Sequence, residues 1–465
     1  MRSRWRVLVL APVIWACCVL TPAAARAGQG PGGSAPSANA ALTCDRKSAV
    51  AKAAWPLDAH GDLANVFHAE RTDLADTWCR IWEVTGAEKR FKAGDFARVL
   101  FTGDGVHPAL AGSLVPGSGL AAGGSFQVGQ HLTNVRVSEQ AKALVATNGS
   151  RAFAGRVDML GNESRADNHH NNATIVAAYQ QLAKLTDYGP GNDTHATDAS
   201  TFALRRTVVG GIVEVPVTPT LFVSVQASGL SLRPSAFDGV AFAPSASDPL
   251  GSRTQGQRTF DNASAYVVYG GGLRMTYPAD AVTTGYTTEL GGVFRQFQGL
   301  NDNSSSFGRA DLAWTNWYTP SVAVGTFSVA TLATLAVVPK GHAMPLGLQP
   351  TLGGTDMTGL QLLRSFNDYR FRAANRFGLS VEHEHELIGP LASLVFADWG
   401  GVATELSDVD FKRFHHSVGA GVSVRVGAVT VFRAFYAFGG GEGTRTTFTG
   451  ASDALASTLN TRTLF

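Results

Sequence analysis

Several groupings in this chain could do chemistry. His383-Glu384-His385-Glu386 offers two imidazoles and two carboxylates in four residues. On a strand, His383 and His385 share one face and the glutamates the other. Metal ligands must converge with further donors, so this pair reads as histidines near a membrane rim. His169-His170, in a polar loop, and His415-His416 take the same reading. A hydrolase needs Ser or Thr beside His with an orienting third group. Neither a nucleophile elbow nor a P-loop is present. Gly270-Gly271-Gly272 follows a strand-like run and fits close packing or a bend better than a phosphate cradle. The sequence thus offers no catalytic, cofactor or metal set, and an enzyme is the least favoured class.

The elements behind these residues alternate with period two. From Arg413 to Val426, Phe414, His416, Val418, Ala420, Val422, Val424 and Val426 fall on one face. Arg413, His415, Ser417, Gly419, Gly421, Ser423 and Arg425 fall on the other. Successive strand side chains point to opposite faces, and an apolar-out, polar-in dyad over about ten residues marks a membrane barrel strand. Arg376 to Leu387 repeats it, with Phe377, Leu379, Val381, His383, His385 and Leu387 opposite Arg376, Gly378, Ser380, Glu382, Glu384 and Glu386. Tyr286, Thr288, Leu290, Gly292 and Phe294 mark a third strand, and Phe202, Leu204, Val208 and Ile212 a fourth. Gly161–Asn172, Ser235–Arg258 and Gly299–Ser306 read as loops.

Arg2, Arg4 and Arg6, an apolar stretch from Val7 to Leu20, and Ala25-Arg26-Ala27 make a secretory signal over residues 1–27. Ile14-Trp15-Ala16-Cys17 loosely resembles a lipobox, but Trp15 fits it poorly, and cleavage after Ala27 is preferred. Removing the signal's four arginines leaves 34 Lys and Arg against 36 acids, which is no nucleic-acid footprint. After the signal, no run approaches the ~18 apolar residues of a spanning helix. Hydrophobic residues are nevertheless 45% of the chain, charged ones only 16%, and Gly numbers 52. A transmembrane barrel satisfies its backbone in lipid without helices; a secreted all-β protein is the other outlet. Residues 28–40 read as a flexible linker. Residues 41–106 carry Leu63, Val66, Phe67, Leu74, Trp78, Ile81 and Trp82 at helical spacing, as a small periplasmic lead domain. Residues 107–465 form the barrel. The final Phe465 is the usual C-terminal aromatic of an outer-membrane strand, although Leu459 to Leu464 alternates poorly.

Two cysteines survive export, Cys44 and Cys79. In an oxidising compartment they are expected to pair. A bridge of this kind stabilises by about 2–4 kcal/mol. Mass spectrometry of the unreduced protein should find an N-terminus at Gly28 and a Cys44–Cys79 link. Two free thiols would remove the bridge, and a lipidated Cys17 the cleavage site.

Four segments together resemble one family. Pro350-Thr351-Leu352-Gly353-Gly354-Thr355-Asp356 leads into Leu363-Arg364-Ser365-Phe366 and Asp368-Tyr369-Arg370-Phe371. Leu379-Ser380-Val381-Glu382 follows, then Phe396-Ala397-Asp398-Trp399-Gly400. Upstream stands Tyr188-Gly189-Pro190-Gly191-Asn192-Asp193. The set resembles the bacterial surface-antigen barrel superfamily, which includes the BamA and TamA assembly factors and the patatin-linked barrels. The match is best over 345–440 and extends over about 107–465. It implies an all-β, antiparallel outer-membrane barrel of sixteen strands. The span would give each strand and its connection about 22 residues. It also implies an extracellular loop folded into the lumen, with Arg364 and Phe366 at its tip and Glu382 and Asp398 as partners of Arg364. The bottom-up reading agrees for Glu382, an acid on the polar face of its strand that needs a partner or water. Ser365 stands where the family carries Gly, and 41–106 shows no POTRA pattern, as in the sub-group without POTRA arms. By resemblance the protein inserts or exports outer-membrane proteins or lipids. Its partners are then outer-membrane lipid, unfolded clients or a periplasmic accessory protein, with no cofactor. A structural or pore-like barrel is the alternative.

Overall fold

The computed structural model describes residues 105–450 apart from 112–113, 115–117, 133–134, 162–170, 237–263, 279–284, 302–304, 322–323, 341, 343, 357–359, 389–390, 427–428, 440–441 and 443. The signal, the linker, the lead segment up to residue 104, Cys44, Cys79, His169-His170 and Phe465 lie outside the described residues.

Strands follow one another along the chain. The first six are β1 (Gly105–Ala111), β2 (Ala121–Leu132), β3 (Val135–Ala146), β4 (Arg151–Gly161), β5 (Asn172–Asp187) and β6 (Ser200–Pro216). Then come β7 (Leu221–Ala236), β8 (Ser264–Tyr277), β9 (Gly285–Gly299), β10 (Phe307–Ser321) and β11 (Gly325–Val337). Two short strands, β12 (Thr351–Leu352) and β13 (Phe371–Arg372), precede β14 (Asn375–Ile388) and β15 (Leu391–Ala403). The last are β16 (His415–Val426), β17 (Val429–Phe438) and β18 (Thr444–Gly450). Sixteen of them form one sheet in chain order, β11 pairing with β14, while β12 and β13 form a separate two-stranded sheet that Arg372 of β13 bridges to Pro190 and Gly191. Every neighbouring pair is antiparallel, as short hairpin connections require. At one end most connections are short, as at 217–220, 389–390 and 427–428, the longest being 162–171. At the other they lengthen, to 188–199, 237–263, 338–374 and 404–414. Among the described residues no helix is long and apolar enough to cross a membrane.

The 338–374 segment lies against one face of the sheet, here the inner face. The outer face exposes a run of large apolar side chains: Val209 and Val213 on β6, Val225 on β7, Leu273 on β8, Phe294 on β9 and Leu312 on β10. So extensive an exposed apolar surface marks contact with something other than water. In β16 the alternation reports the faces directly: Val422 is 38% exposed, whereas Ser417 and Ser423 are wholly buried on the inner side.

One expectation is corrected. The strand expected from Arg413 starts at His415, because residues 411–413 form a tight turn capped by the Asp410 side chain. Phe414 precedes the strand and packs with Trp399 and Phe411, at ring-centroid distances of 4.6 and 5.1 Å. The expected fourth strand is β6, whose apolar set Phe202, Leu204, Val208 and Ile212 is buried while Val209, Val213 and Val215 face outward. The reason is packing. Phe202, Leu204 and Val208 join Leu182, Leu230, Tyr266, Phe297 and Phe307 in one apolar cluster with Met344, Leu348 and Tyr369 of the inserted segment. That segment makes the inner face locally as apolar as the outer one.

Candidate functional site

The inserted segment is organised by its own backbone before it touches the sheet. Thr351 and Leu352 pair with Arg372 and Phe371, closing a short hairpin around residues 353–370. Gly353 and Gly354 turn the chain with φ of 100° and 57°. A Cβ on Gly353 would lie 2.6 Å from the Arg370 Cβ, so glycine is required twice over, by conformation and by space. Leu363 and Tyr369 also adopt positive φ, 54° and 62°, a strained choice for such residues. Ser365 does not, so a serine there meets no left-handed requirement. Its N–H donates to the Ser417 hydroxyl at 3.2 Å.

This geometry delivers Arg364 to two adjacent strands, β14 and β15. Arg364 is 3% exposed. Its Nε and Nη2 donate to the two oxygens of Asp398 at 3.0 and 2.9 Å, a bidentate fork. Its Nη1 donates to Glu382 at 2.7 Å, Nη2 also to the Ser380 hydroxyl at 3.0 Å, and its backbone N–H to Asp398 at 3.1 Å. The guanidinium lies over the Phe396 ring, 3.4 Å from its centroid, which adds a cation–π attraction. Burial opposes the charge of Arg364; hydrogen bonds and charge from Asp398, then Glu382, outweigh it and hold its pKa above the ordinary arginine value. Phe366 packs edge-on against Phe371 at 5.1 Å and His415 at 5.3 Å. The Arg445 guanidinium donates to the Phe366 carbonyl at 2.6 Å.

A second layer of contacts was not foreseen from sequence. Arg370 donates to Glu442 and to the Thr194 hydroxyl, each at 2.6 Å. Arg372 pairs with Asp187 at 3.0 Å and donates to the Leu346 carbonyl at 2.6 Å. Arg376 holds Asp356 at 2.7 Å. Burial, then the neighbouring Asp368 carboxylate, pushes the Tyr369 phenol well above its ordinary pKa, so it stays neutral. The upstream Tyr188-to-Asp193 segment crosses to the far part of the sheet: Asn192 exchanges two hydrogen bonds with the Val402 backbone, at 2.9 and 2.8 Å. A signal for this layer does exist. Arg364, Arg370, Arg372 and Arg376 fall within thirteen residues; the first three are buried and the fourth half-buried, and such cations demand acids from elsewhere in the fold.

Of the sequence's paired histidines, His383 stands apart from this site and His415 packs into it. His383 stacks on Phe327 at 4.3 Å and meets the Val324 carbonyl at 2.9 Å. His415 stacks on Phe371 at 4.1 Å. Among the described residues, no three His, Cys, Asp or Glu side chains group as metal ligands would.

No family model and no curated protein matches this sequence. Solved structures do. The crystal structure of BamA from Haemophilus ducreyi lacking POTRA domains 1–3 superposes with a TM-score of 0.50 at 10% identity, over 74% of this chain and 69% of that one. CdiB from Acinetobacter baumannii gives 0.43 at 10% identity, over 74% of this chain and 58% of that one. CdiB from Escherichia coli gives 0.47 at 12% identity, over 75% and 62%. This chain therefore spans less than two thirds of either CdiB. The class is set at the level of fold: an antiparallel sheet of the kind that builds the BamA barrel.

Proposed function

We propose that this chain is an integral outer-membrane barrel of the bacterial surface-antigen superfamily, acting in the insertion or export of proteins or lipids at that membrane. The observation that carries the reading is the inserted 338–374 segment, whose Arg364 is held by Asp398 and Glu382 on neighbouring strands. In this reading β1 and β18 close the sheet into a sixteen-stranded barrel. Support comes from Arg370, which touches Thr194 beyond β5 and Glu442 beyond β17 at once, so the sheet curls tightly around one segment. The long-connection end faces outward from the cell, and the N-terminal segment, with the lead domain at 41–106, lies in the periplasm. Partners are outer-membrane lipid, unfolded outer-membrane proteins as clients, and a periplasmic accessory protein.

A barrel serving only as a solute pore is the rival. The apolar cluster of Met344, Leu348 and Tyr369 with inner-face residues of β5–β10 fills space that a pore would leave wet. Depletion of the protein separates the two. A fall in the levels of other outer-membrane proteins is expected. An unchanged outer-membrane proteome with altered uptake of small solutes would overturn the assembly role in favour of the pore.

A further inference from the structure

A row of cations crosses the outer face of β4–β7, at the end that carries the inserted segment. Register creates it. Arg151 is the partner of Gln181, Gln181 of Arg205, and Arg205 of Arg233. Neighbouring strands lie ~4.8 Å apart, so the four side chains line up across about 14 Å. All three arginines are exposed. They share their face with Phe153, Val209 and Val225, which are 49%, 40% and 61% exposed.

Like charges directly opposite each other in a strand pair repel, and Arg205 faces Arg233. Among the described residues, no Asp or Glu stands on this face of β4–β7, and none of the three arginines has a hydrogen-bond or ion-pair partner. The row also sits at a definite height. From Arg205 down to Val215 the outer face of β6 carries no charge. Ten residues at ~3.4 Å, tilted ~45°, drop roughly 24 Å, about the height of a barrel's apolar band. The arginines therefore stand where hydrocarbon gives way to headgroups. A planar guanidinium fork matches phosphate oxygens, which a hydrated ammonium does less well.

We propose that this row binds phosphate groups of the membrane lipid in the leaflet on the inserted-segment side, Arg205 and Arg233 sharing one phosphate. The inference rests on the outer face meeting lipid. The test uses the full-length protein in mixed micelles containing phosphatidic acid and diacylglycerol with the same acyl chains, read by native mass spectrometry. The parent should retain phosphatidic acid selectively. An Arg205→Gln/Arg233→Gln double variant, with unchanged heat-modifiable gel mobility, should lose that selectivity by about tenfold, and Arg151→Gln should lower it less. Equal retention by parent and double variant would overturn the site. Inorganic phosphate that displaces the lipid at matched concentration would overturn the lipid as its ligand. Tryptophan fluorescence of Val209→Trp in brominated lipid isolates the underlying reading. Quenching without selective retention condemns only the arginine row, whereas absence of quenching condemns the lipid-facing assignment itself.

Discussion

Arg364→Ala is expected to lower the temperature at which the folded form loses its compact gel mobility, and to open residues 353–370 to protease. Removing the guanidinium leaves Asp398, whose side chain is wholly buried, with the Ser380 and Ser417 hydroxyls and the Arg364 backbone N–H. Uncompensated buried charge of this kind costs about 3–5 kcal/mol. Glu382 suffers less, because it is partly exposed and also holds Arg433 at 3.2 Å. Arg364→Lys should recover only part of the loss, since an ammonium cannot span both Asp398 oxygens. Double-mutant cycles give the finer outcome. Arg364→Ala with Asp398→Asn should show a larger coupling than Arg364→Ala with Glu382→Gln, and both should be non-additive. Additive effects, or an Arg364→Ala protein as stable as its parent, would dissolve the clamp and the functional reading built on it.

Val422→Arg should cost about 2–4 kcal/mol and sharply reduce the amount of protein assembled in the membrane. Val422 faces outward on β16, flanked by Ser393 of β15 and Ala434 of β17. An arginine there must carry its charge through the apolar band or withdraw the strand. Ser423, the adjacent inner position, is an unsuitable comparator because it is fully buried. The inner side of β16 is crowded, and a Cβ on neighbouring Gly421 would lie 2.2 Å from the Ala434 carbonyl oxygen. Glu386 on β14 is the better choice, being on the inner face of its strand and exposed. Glu386→Arg should assemble at parental levels. Equal damage at the two positions would mean that the faces have been assigned the wrong way round.

The facing of β14 and β16 is legible in sequence because one side of each strand is apolar and the other is not. Period two alone cannot say which side is which. Phe202, Leu204 and Val208 recur on one face, with Arg206 among them, and point inward, because Met344, Leu348 and Tyr369 cover the apolar members. Nothing local to β6 encodes that cover; it arrives from a segment about 140 residues downstream. The contact of Arg364 with Glu382 and Asp398 was expected from family resemblance, with support from the placing of Glu382 on a polar strand face. The Arg372–Asp187 and Asn192–Val402 contacts were not expected, since each joins segments remote in sequence whose meeting depends on the curvature of the whole sheet. Phe414 was placed one residue too early into its strand because alternation carries through a capped turn without a visible break.

The contacts that pin the inserted segment join residues far apart in the chain: Arg370 to Thr194 across 176 positions, Asn192 to Val402 across 210, and His415 to Asn192 across 223. Contacts of such span are paid for in chain entropy before they return any stability. None of the last two can form until β15 and the start of β16 are in place, and the Arg370–Glu442 pair waits for the end of β17 as well. Arg364 meets the same condition through Asp398. A chain that is still adding its final strands therefore holds a 338–374 segment that is only partly docked, with Arg364 and Arg370 still lacking Asp398 and Glu442. The contacts of Arg364 and Arg370 are thus the last to close, and the accessibility of residues 353–370 should distinguish a finished molecule from one still being built.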